Sequence, residues 1–179
     1  MKKQIADLGF ETLISAGQIE ERVKIIGAQI NEDFKDTVPV IVGVLNGGFL
    51  FTADLIKQVT IPCEIGFTKL ASYYGGTSST HKVREDIDLM VDIKGRDVLI
   101  IEDIVDTGNT AHYLIEKLKL REPASLKLCS LLLKPAALQK NIDELKYVGF
   151  EIENEFVVGY GLDYKEMGRN LADIYKKVS

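Results

Sequence analysis

The residues best suited to chemistry in this chain lie in one string, Val98-Leu99-Ile100-Ile101-Glu102-Asp103-Ile104-Val105-Asp106-Thr107-Gly108-Asn109-Thr110. Four aliphatic residues run into two adjacent carboxylates. A third carboxylate, a Thr, a Gly, an Asn and a second Thr follow, and Leu114, Ile115 and Leu118 then recur on one helical face. That order predicts a buried strand ending near Ile101, a loop, and a helix N-terminus. Backbone N–H groups at a helix start point outward, and the helix dipole favours an anion there. Thr107 and Thr110 add hydroxyl donors, and Gly108 lets the backbone approach a ligand closely. This end of the loop suits a phosphate monoester. The other end suits hydroxyls, because the Glu102 and Asp103 carboxylates can accept hydrogen bonds from a cis-diol. One loop could therefore hold a ribose 5-phosphate by both ends, with Asp106 between them facing the anomeric carbon. A plain acidic loop, with Asp106 or Thr107 capping the helix, would explain an isolated Asp-Thr-Gly. It does not explain the whole string.

Other chemistries are excluded by what surrounds this string. The 179 residues include two cysteines, Cys63 and Cys129, and two histidines, so a Cys/His zinc site lacks its ligands. Both cysteines stand in apolar stretches and read as buried free thiols of a reducing compartment. Neither G-x-x-x-x-G-K-[ST] nor G-x-G-x-x-G occurs, and Glu85, Asp86, Asp88 and Asp92 lack the spacing of a calcium loop. The net charge of −5 disfavours a nucleic-acid partner, which needs a basic face. The start MKKQIADLGF has no apolar signal core, and no apolar run approaches the ~18 residues of a membrane helix. A cytoplasmic protein with no membrane partner is expected.

The elements that position the string alternate between strand and helix. Ser15 and Gln18 form a capping-box pattern, and Ile19, Val23, Ile26, Ile30 and Phe34 follow at helical spacing. Pro39–Leu45 is a β-branched run of the kind buried on both faces of a parallel sheet. Asn46-Gly47-Gly48 ends it, and 49–59 reads as a helix. Apolar residues alternate over 61–67, which predicts a strand. Strands are also expected at 126–133 and 156–159. Residues 73–88 keep neither period and read as a long mobile loop. The result is one α/β domain over 1–179, with a mainly parallel sheet, helices on both faces and ligands at the C-terminal strand ends.

Taken whole, VLIIEDIVDTGNT resembles the phosphoribosyl-pyrophosphate signature of the type I phosphoribosyltransferases, most closely the hypoxanthine-guanine branch. Further blocks agree, in the family's order. Val44-Leu45-Asn46-Gly47-Gly48 is similar to its pyrophosphate loop, Ser72-Tyr73 to the start of its mobile loop, and Ser130-Leu131-Leu132-Leu133-Lys134 to the strand that ends in a purine-selecting lysine. Phe156-Val157-Val158-Gly159-Tyr160-Gly161-Leu162-Asp163-Tyr164 is similar to its base-binding segment, with Arg169 a few residues on. Asn46 stands where many members have Lys.

The resemblance implies transfer of 5-phosphoribosyl from phosphoribosyl pyrophosphate to N9 of hypoxanthine or guanine, giving IMP or GMP and pyrophosphate in purine salvage. It implies a type I phosphoribosyltransferase fold with a small hood built from the chain termini and a mobile loop over about 72–88. By position, Glu102, Asp103, Asp106, Thr107, Gly108, Asn109 and Thr110 bind the phosphoribosyl group. Asp106 takes the purine N7 proton. Asn46, Gly47 and Arg169 meet pyrophosphate, a non-proline cis peptide helping the backbone at Asn46. Lys134 donates to O6, Phe156 stacks on the ring, and Val157, Leu162 and Asp163 border the base. Mg²⁺ is the implied cofactor, held near Asp163, Glu102 and Asp103, and a homodimer or homotetramer is the implied assembly. A xanthine-specific enzyme and an RNA-binding regulator on the same scaffold are the alternatives. The latter needs the basic surface that this chain lacks.

Overall fold

The β-branched runs do form the centre of a sheet. The computed structural model describes residues 2–72 and 83–178, without the side chains of 71, 72 and 83–85. In chain order the elements are β1 (Lys2–Ile5), β2 (Leu8–Ile14), α1 (Ala16–Asp33), β3 (Val40–Leu45), α2 (Phe49–Ile56), β4 (Glu64–Ser72), β5 (Val83–Ile87), β6 (Asp97–Val105), α3 (Asn109–Lys119), β7 (Ser125–Leu133), β8 (Leu145–Glu151), β9 (Val157–Val158) and β10 (Ile174–Lys177). Six strands make the main sheet in the order β5-β4-β3-β6-β7-β8. All its pairs are parallel except β4 with β5.

Both faces of this sheet are covered, so its central strands alternate between two cores rather than between core and water. Ile41, Leu99, Ile101, Cys129 and Leu131 pack under α1 and α2. Val40, Val42, Val98, Ile100 and Leu128 pack under α3. Each fully buried aliphatic side chain contributes about 1.5–3 kcal/mol, which makes these paired layers the main source of stability. The α1 helix begins with the expected capping box, Ser15 and Gln18 bonding each other's backbone N–H. Neither Cys63 nor Cys129 is in a disulfide. Among the described residues no helix is long and apolar enough to cross a membrane.

A second sheet, antiparallel and in the order β1-β2-β10-β9, joins the two ends of the chain. Ile5, Phe10, Val158 and Tyr175 form its core. Asp173 Oδ1 accepts the Ala16 N–H at 2.8 Å and ties this sheet to the start of α1.

Several sequence expectations are corrected here. The strand expected to end at Ile101 continues to Val105, because the ladder with β7 runs on through Glu102↔Ser130, Ile104↔Leu132 and Val105↔Leu133. The two carboxylates therefore sit on a strand, not in a loop. Part of the expected 72–88 loop is β-structure too: Ser72 ends β4, and 83–87 form an edge strand against it. An edge strand needs only one partner's backbone, so its polar residues erase the alternation without preventing pairing. Tyr73 and the rest of that segment through 82 lie outside the described residues. Strands β1, β2, β8 and β10 were not legible as strands. The helix after Gly48 stops at Ile56, three residues short of the expected 49–59 span.

The topology also opens the site. Strands β3 and β6 are parallel neighbours. The loop after β3 turns to α2 on one face, and the loop after β6 turns to α3 on the other. Diverging connections leave a crevice at the C-terminal strand ends, the usual ligand position in such sheets.

Candidate active site

A cavity of about 350 Å³ fills that crevice. Leu45, Asn46 and Gly47 form one wall. Residues 102–108, with Thr110 and Ala111 at the start of α3, form the rest, and Leu70 closes an edge. The Leu45–Asn46 peptide bond is cis. All seven residues expected at the phosphoribosyl group lie on this segment, and all but Asn109 line the cavity. Gly108 has φ +81°, the left-handed region, and precedes α3 without any side-chain cap. A residue with a Cβ is strained there. The loop is pinned from outside by Gln139, which sequence reasoning did not single out: its N–H donates to Thr107 O at 3.0 Å, and its side chain accepts from Asn109 Nδ2 at 3.3 Å. Nothing in the local pattern marks Gln139, because its partners lie about thirty residues away.

The floor of the cavity is electrostatically unusual. Glu102 is buried, and its Oε2 has no hydrogen-bond partner. Burial, reinforced by the neighbouring Asp103 charge, pushes the Glu102 carboxyl well above the ordinary range. Asp103 is only partly buried as a residue, but its carboxylate is tucked against the Gly47 backbone: a Cβ on Gly47 would come 1.6 Å from Oδ2. Burial raises Asp103 to about 6, against the bond from the Ile104 N–H and the Arg169 charge, which lower it. The nearby Asp163 charge raises it further.

These two shifts carry a stability consequence with a definite sign. A carboxyl whose folded pKa lies above its unfolded value binds more protons when folded, so stability falls as pH rises between the two values. Between pH 3.8, the ordinary aspartate value, and about 6, the ligand-free protein loses stability through Asp103. In a metal chelator, Asp103→Asn should flatten that fall, and Glu102→Gln should raise Tm at pH 7. Thermal melts across pH 4–8 check both. A wild-type Tm that climbs over this window as steeply as that of the variants would contradict the shifts.

Of the residues expected at the base side, Lys134 reaches the crevice through Asp106, whereas Phe156, Val157, Leu162 and Asp163 do not line the cavity. Lys134 follows β7 and is buried, at 7% exposed. Its Nζ reaches across to Asp106 Oδ2 at 2.8 Å. The two residues most expected to act on a base are thus brought into one ion pair at the mouth of β6 and β7. Phe156 stands 46% exposed at the head of β9, edge-on to Tyr164 at 5.7 Å. Val157 and Leu162 instead point into the main core, so they can offer a ligand only backbone groups.

Asp163 and Arg169 form a second charged pair. Arg169 Nη2 meets Asp163 Oδ1 at 2.8 Å and Glu166 Oε2 at 3.0 Å, and Nη1 donates to Gly161 O at 3.0 Å. Asp163 Oδ2 accepts the Glu166 N–H at 2.9 Å. Glu166 was not singled out from sequence; its spacing of three from Arg169 in a turn is a weak signal. The turn reaches the cavity through Gly161, which packs on the Gly47 carbonyl so closely that a Cβ would come within 1.9 Å.

Among the described residues no group of three or more His, Cys, Asp and Glu is already clustered to hold a metal ion. The fit for Mg²⁺ is nonetheless favourable. The available donors are all oxygens, Glu102 Oε2 is buried and unpaired, and Mg²⁺ needs only one or two carboxylates beside substrate phosphates.

The comparisons agree with this geometry. A hypoxanthine phosphoribosyltransferase of Haemophilus influenzae is 45% identical, matching 99% of this chain and 98% of that one. A hypoxanthine-guanine phosphoribosyltransferase of Bacillus subtilis is 44% identical over 90% of this chain and 89% of its own. The crystal structure of a hypoxanthine-guanine phosphoribosyltransferase from Bacillus anthracis superposes with a TM-score of 0.88 at 41% identity, covering 94% of this chain and 98% of that one. The phosphoribosyl transferase domain matches residues 11–165, which take in the crevice, the carboxylate strand and Asp163. With the fold, the loop string and near-full-length similarity in agreement, this chain belongs to the phosphoribosyl transferase domain family.

Proposed function

We propose that this protein transfers 5-phosphoribosyl from phosphoribosyl pyrophosphate to N9 of a 6-oxopurine, hypoxanthine and also guanine, releasing pyrophosphate in purine salvage. The observation that carries this reading is the Lys134–Asp106 pair, 2.8 Å apart beside the crevice. A 6-oxopurine presents an acceptor at O6 and, as its N7–H form, a donor on the adjacent edge. Lys134 is a donor only and ionised Asp106 an acceptor only, so the pair is complementary to that edge. A base that enters opens the ion pair and replaces each partner's bond with one to itself. The names carried by the relatives support the same reaction.

In this mechanism Glu102 and Asp103 accept from the ribose hydroxyls. Thr107, Gly108, Asn109 and Thr110, at the start of α3, hold the 5-phosphate. The bond from C1′ to the pyrophosphate oxygen breaks, N9 bonds to C1′, and the N7 proton passes to Asp106 Oδ. Asn46 and Gly47 meet pyrophosphate through backbone N–H groups, and Arg169 turns its guanidinium from Asp163 and Glu166 towards the same oxygens. Phe156 covers one face of the base, while backbone groups at Val157, Leu162 and Asp163 meet its edge. Bound near Glu102, Asp103 and Asp163, Mg²⁺ supplies charge neutralisation for the leaving polyanion. The chain works as one domain over 1–179 with the terminal sheet as hood, in the cytoplasm, as a homodimer or homotetramer.

The test is turnover of hypoxanthine, guanine, xanthine and adenine with phosphoribosyl pyrophosphate and Mg²⁺, read as nucleotide formed and pyrophosphate released. Hypoxanthine and guanine should be converted and adenine left untouched. Preferential use of adenine, or no nucleotide from any base, would sink this reading.

A further inference from the structure

Two segments meet beside the crevice, and they meet twice. One is the Asn46–Gly48 loop with α2, which continues directly from it. The other is the 159–169 turn that carries Asp163 and Arg169. The first contact is Gly161 against the Gly47 carbonyl. The second is a hydrogen bond from the Tyr160 hydroxyl to Asp54 Oδ2 at 2.7 Å.

Asp54 lies six residues along from Gly48, roughly 9 Å up the helix at 1.5 Å per residue. A single contact would act as a pivot about which the turn could rock. Two contacts at that separation set its angle as well, and hence where Arg169 and Asp163 stand relative to Gly47 and Asp103. The local geometry is built around the second contact. Tyr160 is 6% exposed and holds φ 49°, a left-handed conformation rare for a non-glycine residue. Its N–H donates to Leu171 O at 2.8 Å. Asp54 is aimed by Lys57, whose Nζ holds the other oxygen, Oδ1, at 2.6 Å. Burial and the Asp54 charge push the Tyr160 hydroxyl above its ordinary range, so it remains a donor. Tyr160 and Asp54 also border a second cavity, of about 540 Å³, between α1, α2 and residues 170–172. The Tyr160 ring packs in the main core, and the hydroxyl reaches from it to Asp54 at the edge of this space.

We propose that the Tyr160–Asp54 hydrogen bond positions the pyrophosphate side of the site by locking the 159–169 turn to α2. Neither residue touches substrate; both act through Gly47, Asp163 and Arg169. The assignment of that side to pyrophosphate rests on the reaction proposed above.

The test compares Tyr160→Phe, Asp54→Ala and Asp54→Asn, the last of which keeps an acceptor for the hydroxyl. Losing this hydrogen bond should raise KM for phosphoribosyl pyrophosphate by roughly 5- to 20-fold in Tyr160→Phe and Asp54→Ala, the share of the roughly 10- to 150-fold worth of a bond to a charged group that reaches the site through the turn. KM for hypoxanthine should rise distinctly less, since only backbone groups of that turn border the base. Asp54→Asn should stay near wild type, and the Tyr160→Phe/Asp54→Ala double variant should be no worse than either single one. In the ligand-free full chain, amide exchange should quicken across 46–49 and 159–163 but not across α3. An unchanged KM for phosphoribosyl pyrophosphate, equal rises in both KM values, or Asp54→Asn behaving like Asp54→Ala would each overturn the proposal. A wild type without turnover would instead remove the reaction assigned above. The exchange measurement then decides the clamp alone, and unchanged exchange in Tyr160→Phe would refute it.

Discussion

Asp106→Asn is expected to lower kcat by roughly 10²–10⁴, the usual cost of losing a positioned proton acceptor. The substitution is nearly isosteric and exchanges an anion for an amide. In the free protein it also removes the counter-charge of buried Lys134, whose Nζ now bonds Asp106 Oδ2. The amide oxygen can still accept that bond, and the Asp106 side chain is 47% exposed, so the fold should survive with a Tm lower by a few degrees. KM for phosphoribosyl pyrophosphate should change little, because the neighbouring Thr107, Gly108 and Thr110, proposed to hold the phosphate, are untouched. Single-turnover kinetics with pre-bound substrates isolate the chemical step. An unchanged single-turnover rate would remove Asp106 from proton transfer.

Lys134→Gln is expected to raise KM for hypoxanthine by roughly 10- to 150-fold, which corresponds to the 1.5–3 kcal/mol of a hydrogen bond to a charged group. The amide can both donate and accept, so the bias against adenine, which offers an amino donor at the same position, should weaken. Binding of phosphoribosyl pyrophosphate should be almost unaffected, since Lys134 lies on β7's side of the crevice and does not line the ribose-phosphate cavity. The measurement is kcat/KM for both bases in both proteins. If phosphoribosyl pyrophosphate binding collapses while hypoxanthine use persists, Lys134 serves the sugar and not the base.

These two residues also mark how far a one-dimensional reading reaches. The sequence by itself determined the strand, turn and helix order of the string from Val98 to Thr110, the capping box at Ser15 and the two-faced burial of β3. Each depends on neighbours a few residues apart: hydrophobic period, a glycine where φ must be positive, a side chain that bonds the next turn. The fold class followed from the alternation of those elements, the fit to a ribose 5-phosphate from residue types within that string, and the transfer reaction from the resemblance of the string and the further blocks to a known family.

What only the tertiary structure decided involves partners distant in sequence. It extended β6 through Glu102 and Asp103, because β7 supplies backbone partners whatever side chains the strand carries. It paired β2 with β10 across most of the chain and recruited β1, β8 and edge strand β5, whose polar residues leave no clean alternation. It set Asp103 against Gly47, Lys134 against Asp106, and Arg169 against Asp163 and Gly161. Local sequence holds no signal for such meetings. A backbone ladder is built from N–H and C=O groups common to every residue, and sheet order alone determines which distant side chains then face each other across the crevice.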